Sequence, residues 1–223
     1  MFRNVEKVTS LNLIGFDTSQ VTDMSYMFQN CGSLTSLDVS KFKTDNVKSF
    51  DYMFADCSEL ASIYNVDKFN TGRATHMFGM FMNLPKLNYL DVSRYDTSHV
   101  EDMGSMFEGS KSLDIRGAET FDISQVTDMT NMFSGTLITS FNANNYKGES
   151  LITVSGMFSE CSELTSVNLE NLESPDIEDL SSMFYLCYKL TSVKFRKIKS
   201  EYVYQMSNMF SGCDQLVSID HIH

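Results

Sequence analysis

The dipeptide Met-Phe marks this chain like the divisions of a ruler. It stands at Met1-Phe2, Met27-Phe28, Met53-Phe54, Met80-Phe81, Met106-Phe107, Met132-Phe133, Met157-Phe158, Met183-Phe184 and Met209-Phe210, at intervals of 26, 26, 27, 26, 26, 25, 26 and 26 residues. A fixed period of this length is the mark of a solenoid, in which each repeat is one coil that buries its apolar side only against its neighbours.

Within the unit Val21 to Asn46, two periodicities follow one another. Val21, Met24, Phe28 and Cys31 are spaced by three and four, which predicts a short helix with one buried face. Ser19 or Thr22 would cap its N-terminus. Leu37-Asp38-Val39 then alternates apolar and polar, as a half-buried strand does. The helix-face slot reads Val21, Val47, Ala74, Val100, Val126, Leu151, Ile177 and Val203. The inward strand slot reads Leu11, Leu37, Ile63, Leu90, Arg116, Phe141, Val167, Val193 and Ile219. The expected fold is an α/β solenoid of about eight to nine coils of 26 residues, each with a short parallel β-strand and a short helical segment. Two stretches depart from the ruler: one extra residue lies between Ile63 and Phe69, and one is missing between Phe133 and Ile138. Arg116 and Gly117 also replace consensus residues. Drift tolerated by a repeat array is the reading given to these departures.

No linker rich in Pro, Gly or Ser interrupts the repeat, so residues 1–223 are expected to form one solenoid domain. Because Met1-Phe2 already fills repeat slots and neither end resembles a polar cap, the chain reads as a piece of a longer surface protein. The five cysteines, Cys31, Cys57, Cys161, Cys187 and Cys213, all stand three residues after a Met-Phe pair, where Val5, Leu84 and Ser110 stand in other coils. A slot shared by these types predicts buried free thiols rather than a disulfide framework or metal site. The methionines likewise fall on core slots, which predicts packing rather than a cofactor box.

Charge is unevenly spread. Residues 101–186 carry 15 acidic and 3 basic residues, whereas residues 187–223 carry 3 acidic and 5 basic ones, including Lys194, Arg196, Lys197 and Lys199. An acidic chain is a poor match for a phosphate backbone, so no nucleic-acid partner is expected. No apolar run is long enough for membrane insertion. No nucleotide-binding, zinc-protease or serine-hydrolase motif is present, and nothing converges on a nucleophile, base or metal. The expectation is a protein that is not an enzyme and uses no cofactor. The pairs Asp17/Asp23, Asp96/Asp102 and Asp122/Asp128 invite a calcium reading. The glycine-rich nonapeptide of calcium-binding solenoids is absent, and turn or capping roles suit short acidic side chains better.

What remains is the solvent side of the strands. The outward column reads Asn12, Asp38, Tyr64, Asp91, Gly117, Asn142, Asn168, Lys194 and Asp220, varied where the inward column is uniform. Solenoids build extended recognition surfaces in this way. Asp38, Tyr64, Tyr89, Asp91, Asn142, Asn168, Lys194 and Arg196 are the candidate partner-binding residues, with the tyrosines suited to an interface.

The runs from Phe16 to Phe28 and from Cys31 to Ser40 closely resemble the 26-residue repeat of bacterial surface proteins. This is a BspA-like branch of the leucine-rich repeats, also abundant in mycoplasma lipoproteins and some parasitic protozoa. The resemblance covers essentially the whole chain. It implies a right-handed curved solenoid with the strands on the concave face, exposure at the cell surface or secretion, and adhesion to host matrix proteins or to other cells. It carries no catalytic residues. The alternatives are a structural spacer or self-assembling rod associating end to end, and a secreted effector that binds a host protein.

Overall fold

The computed structural model describes all residues except 144, 145, 196, 197, 199 and 221–223. Eight short strands recur along it: β1 (Ser36–Asp38), β2 (Ser62–Tyr64), β3 (Tyr89–Asp91), β4 (Asp114–Arg116), β5 (Ser140–Asn142), β6 (Ser166–Leu169), β7 (Ser192–Phe195) and β8 (Ser218–Asp220). All pairing is parallel and joins consecutive coils, with Leu37 opposite Ile63, Leu90 opposite Ile115, and Phe141, Val167, Val193 and Ile219 in one row. The central residue of each strand points inward and its neighbours point out, the period-two rule in its shortest form. The eight strands bound seven full turns of solenoid, fewer than the eight to nine coils expected. The Met-Phe ruler counts Met1-Phe2, whose strand slot, Leu11, lies in no strand.

The second correction concerns the helix. The described residues contain no α-helix, and so none long and apolar enough to cross a membrane. The segment with three-and-four spacing is a ladder of tight turns. Within a coil, the N–H of Met27 bonds Met24 O at 3.2 Å and that of Gln29 bonds Tyr26 O at 3.2 Å. The alternate N–H groups reach the next coil instead: Met24 to Ser49 O at 3.0 Å, Tyr26 to Asp51 O at 2.8 Å, Phe28 to Met53 O at 2.9 Å and Asn30 to Ala55 O at 2.9 Å. A helix would direct all of these bonds inward along its own axis. The cause is two left-handed residues per coil. Tyr26, Tyr52, Ser105, Asn131, Ser182 and Asn208 form one such column, and Asn4, Asn30, Asp56, Asn83, Glu160 and Leu186 belong to another. Right-handed helix cannot pass through a residue at φ near +60°. Parallel bridges running from Asp23 through Ser49, His76, Asp102, Asp128, Thr153 and Asp179 to Gln205 continue this turn ladder without interruption. Ser19, expected as a helix cap, instead gives its N–H to Asp17 Oδ1 at 3.0 Å.

The core lies between the turn ladder and the sheet. A spine of phenylalanine rings runs from Phe2 to Phe210, with centroids 5.4 to 6.0 Å apart and planes within 15° of parallel. This is offset stacking, favourable beyond the burial of the rings. The helix-face slot is buried from Val47 to Ile177. All five cysteines are free, and four are buried. Their slot does more than fill space. Cys57, Cys161, Cys187 and Cys213 each donate Sγ–H to a Phe carbonyl of the preceding coil at 3.0 Å. Ser110 makes the same bond to Phe81 O at 2.7 Å. Burial pushes the Cys161 thiol up to about 11, which keeps it protonated and unreactive.

The sheet, unlike the turn ladder, is broken twice, between β2 and β3 and between β4 and β5. Each break follows the same local device. After β2, Asn65 is left-handed (φ 67°) and leads into a 3-10 turn at Val66–Lys68. After β4, Gly117 is left-handed (φ 89°) and leads into a 3-10 turn at Ala118–Thr120. In regular coils the residue after the strand donates forward, as Val39 does to Tyr64 O at 3.1 Å and Val92 to Arg116 O at 2.8 Å. Asn65 and Gly117 stand at that position and make no such bond among the described residues. In both cases a buried tyrosine of the next coil caps the inserted turn: Tyr95 Oη–H donates to Val66 O at 3.1 Å and Tyr146 Oη–H to Ala118 O at 2.6 Å. Drift does not produce one device twice, complete with its cap. The close fit at Gly117 makes the same point, since a Cβ there would stand 2.3 Å from the Ser93 backbone.

The second insertion also corrects a register. Ile115 stands eight positions after Phe107, where Leu37 stands nine after Phe28, so a residue is lost before β4 and regained after it. Ile115 therefore takes the inward slot and Arg116 the outward one, not Arg116 and Gly117 as the ruler implied.

Candidate interaction face

Two outward columns cover the sheet. The first reads Ser36, Ser62, Tyr89, Asp114, Ser140, Ser166, Ser192 and Ser218. The second reads Asp38, Tyr64, Asp91, Arg116, Asn142, Asn168, Lys194 and Asp220. The middle pair of strands is exceptional in the first, because it interrupts a column of serines with Tyr89 and Asp114. Arg116 belongs to this group, although the reading of the sequence omitted it. The alternation Leu113-Asp114-Ile115-Arg116 is the signal that finds it, once β4 is counted from its own apolar residues rather than from the preceding Met-Phe pair.

The candidate residues fall into separate panels. Asp38 and Tyr64 are register partners on β1 and β2. Tyr89 and Asp91 lie on β3, beside Asp114 and Arg116 of β4. Asn142, Asn168 and Lys194 form a row across β5, β6 and β7. Arg196, and with it Lys197 and Lys199 of the basic cluster, lies outside the described residues.

In the middle panel the Arg116 guanidinium carbon lies 5.2 Å from the Tyr89 ring centroid, and its Nη2 is 3.3 Å from Asp114 Oδ2. Both members of the ion pair are well exposed, so it is a weak surface contact that leaves the guanidinium open to solvent. Tyr89 remains 49% exposed and Tyr64 56%, the two large apolar side chains that the sheet presents at the first break. Hydrogen bonds from Ser93, with smaller help from the Tyr89 hydroxyl and Arg116, hold the Asp91 carboxyl below the usual carboxylate range. Asp38 is likewise held down, first by the Ser40 N–H at 2.9 Å and then by Asn65.

The aspartates thought to invite calcium are occupied by turns. Asp17, Asp23, Asp96, Asp102, Asp122 and Asp128 each accept the N–H two residues ahead, at 2.7 to 3.1 Å. These are Asx-turns that fix the corners of each coil. No group of three metal-ligating side chains occurs among the described residues.

Each sheet break opens a hollow. The first, of about 260 Å³, is lined by Ile63, Val66, Asp67, Tyr89, Leu90 and Asp91. At the second break, a hollow of about 210 Å³ includes Ile115, Phe133, Ser140 and Asn142. Beside it a wider one of about 370 Å³ is lined by Ile115, Leu137 and Ile138 among others. This part of the surface combines aromatic faces, a guanidinium, carboxylates and shallow recesses.

The family described as Mycoplasma protein of unknown function, DUF285, matches residues 1–116 and again residues 110–220. The chain belongs to this family. The suspected BspA-like repeat is borne out by it, and the two DUF285 matches overlap across β4, the strand where the register slips. A leucine-rich cell surface protein from Faecalibacterium prausnitzii A2-165 is similar in structure, at 17% identity over 88% of this chain and 75% of that one, with a TM-score of 0.39. None of the curated proteins matches the sequence.

Proposed function

We propose that this DUF285 chain is a non-enzymatic binding module of a cell-surface or secreted protein, engaging a protein partner through the outward face of its strands. The observation that carries this reading is the contrast between columns. The inward strand slot is apolar in every coil, while the outward slot holds Asp38, Tyr64, Asp91, Arg116, Asn142, Asn168 and Lys194 in turn. Stacking alone does not require that variety. Surface display is supported by the likeness of the repeat to bacterial surface proteins. The partner proposed is a protein of the host or of a neighbouring cell, extracellular matrix included.

The test is a binding screen of the purified chain against extracellular matrix proteins, at low and at physiological ionic strength. A saturable partner whose affinity falls with salt is expected. The triple variant Asp38→Lys, Asp91→Lys, Lys194→Glu should weaken that binding by about tenfold or more, since charge reversal at an interface acts on both encounter and residence. Unchanged affinity in the triple variant would rule out the sheet face as the contact surface.

A further inference from the structure

The cysteine slot runs through three consecutive coils at Cys161, Cys187 and Cys213, and adjacent members meet at a shared oxygen. Phe184 O accepts the Cys213 Sγ–H at 3.0 Å and the Cys187 N–H at 3.2 Å. Phe158 O accepts the Cys187 Sγ–H at 3.0 Å and the Cys161 N–H at 3.2 Å. We propose that Cys213 and Cys187 form a reactive thiol pair whose substrate is a low-molecular-weight disulfide. Cys213 attacks, Cys187 resolves, and the product is a disulfide between neighbouring coils.

The spacing suits that bridge. At the start of the same run, Thr136 Oγ1 lies 3.5 Å from Cys161 Sγ, which measures how closely the side chains of adjacent coils meet in this slot. The coils of Cys187 and Cys213 are bonded on both sides of the slot, Leu186 N–H to Ser211 O at 2.8 Å and Val217 N–H to Thr191 O at 2.9 Å. Backbones so paired stand about 4.8 Å apart, inside the range of roughly 4.4–6.8 Å that a disulfide spans between Cα atoms. The bridge therefore needs side-chain rotation and only a small approach of the coils.

Two observations select this pair among the five cysteines. Cys213 is partly exposed, whereas Cys31, Cys57, Cys161 and Cys187 are buried. The other is what oxidation leaves behind. Bridging Cys187 to Cys213 withdraws an Sγ–H from Phe158 O and from Phe184 O, but each carbonyl keeps the N–H of the preceding cysteine. Bridging Cys31 to Cys57 would withdraw the Cys57 Sγ–H from Phe28 O, which has no other donor among the described residues. Stripping a buried acceptor of its donor is costly.

The chemistry is thiol–disulfide exchange. Cys213, as the thiolate, attacks one sulfur of the small disulfide; its S–S bond breaks, and the displaced thiolate leaves and takes up a proton. Cys187, losing its proton to solvent, then attacks Cys213 Sγ in the mixed disulfide and expels the second small thiol. Two protein thiols are oxidised and one disulfide is reduced to two thiols. Burial raises the Cys213 thiol, and burial, followed by the charges of Cys161 and Cys213, raises that of Cys187. The exchange therefore accelerates as pH rises, because the thiolate is the nucleophile. The bridge ties together the last two described coils, where Val203, Phe210 and Leu216 are only partly buried.

The test incubates the folded chain with oxidised glutathione at about pH 8.5. Thiols are counted after an acid quench, and peptides are mapped by mass after cleavage at lysine, arginine and glutamate, which separates Cys161 from Cys187. The count is expected to fall from five by two, with the bridge mapped to Cys187 and Cys213 and every thiol restored by excess reductant. Cys187→Ser should stop at a mixed disulfide, with one glutathione retained on Cys213. Cys213→Ser should keep its thiols, and Cys161→Ser should oxidise as the parent does. Serine suits this slot, since Ser110 fills it and bonds Phe81 O at 2.7 Å. Cys187→Ala replaces Cys187→Ser if the latter alters folding. A folded chain that keeps all its thiols under conditions that oxidise the unfolded chain would overturn the proposal. So would a bridge at any other pair, or a mixed disulfide on the parent that Cys187 leaves unresolved.

Discussion

The turn face and the sheet face of this solenoid follow the same 26-residue repeat to different ends. On the turn face, parallel bridges run unbroken from Asp23 to Gln205, and the phenylalanine spine behind them passes through every coil. On the sheet face, eight strands are divided into panels of two, two and four. The coils are held together by the turns, and the strands are therefore free to part. An insertion after β2 or β4 costs a few sheet hydrogen bonds but leaves the alternate forward bonds of the turn ladder untouched. The difference shows where variation is tolerated in a repeat whose neighbours are its only support.

The largest expected effect tests which face carries the stack. Phe107 is fully buried between Phe81 and Phe133, so Phe107→Ala removes a ring from the middle of the spine. The loss should be about 3–5 kcal/mol, the usual range for a buried aromatic. Ile115→Ala, at a half-buried strand centre beside the second break, should lose only about 1–2 kcal/mol. Urea titration of both variants decides the matter. Equal losses would mean that the sheet carries as much of the stack as the turns do.

A smaller effect tests whether the breaks are built. Tyr146→Phe removes one of two donors to the Ala118 carbonyl, which keeps the Phe121 N–H at 3.3 Å, and Tyr95→Phe does the same to Val66, which keeps the Phe69 N–H at 3.2 Å. Each should destabilise by about 0.5–1.5 kcal/mol, the net worth of one hydrogen bond to an acceptor that keeps its backbone donor. Tyr64→Phe, at an exposed hydroxyl, is the control and should change nothing measurable. If all three behaved alike in thermal melts, the tyrosine caps would have no structural role.

Much of this molecule was legible in the Met-Phe ruler, and the misreadings have physical causes. The period fixed the solenoid and the inward columns, because burial between neighbouring coils selects residue type slot by slot. The helix was misread because spacing by three and four arises equally from successive tight turns. The Asn and Asp at positions such as Asn4, Asn30, Asp56 and Asn83 signalled left-handed backbone, and a hydrophobic pattern does not register φ. The second sheet break was hidden because a deletion before Ile115 cancels the insertion after Gly117, so the Met-Phe interval there remains 26. The same cancellation moved Arg116 off the outward face on paper. The first break was visible, since nothing offsets the extra residue between Ile63 and Phe69. The tyrosine caps were invisible for a further reason: Tyr95 and Tyr146 share a slot with Phe42, Phe69 and Phe121, and only three-dimensional proximity distinguishes a hydroxyl that caps a turn from one more ring.

The smallest effect sets the two faces against each other through their carboxylates. Asp102, in the turn ladder, has its pKa raised by burial, and the nearby Asp128 and Asp51 add to the shift against the Gly104 N–H. An acid whose folded pKa exceeds its unfolded value opposes folding when ionised, and that penalty fades as pH falls through the folded pKa. Asp102→Asn keeps an acceptor for the Gly104 N–H, which lies 2.9 Å away, and removes the charge. It should raise the melting temperature at pH 7, with the gain shrinking as pH falls into the carboxylate range. Asp91, on the sheet face, has its pKa lowered by the Ser93 hydrogen bonds. Its contribution is present above the ordinary carboxylate value and is lost as pH falls through the folded pKa, so Asp91→Asn should lower the melting temperature slightly at pH 7 and match the parent in acid. Opposite signs at neutral pH, converging as pH falls, are the expected pair of curves. Two curves of the same sign would mean that the turn ladder and the sheet face hold their carboxylates by the same means, contrary to the burial of Asp102 and the exposed hydrogen-bonded corner of Asp91.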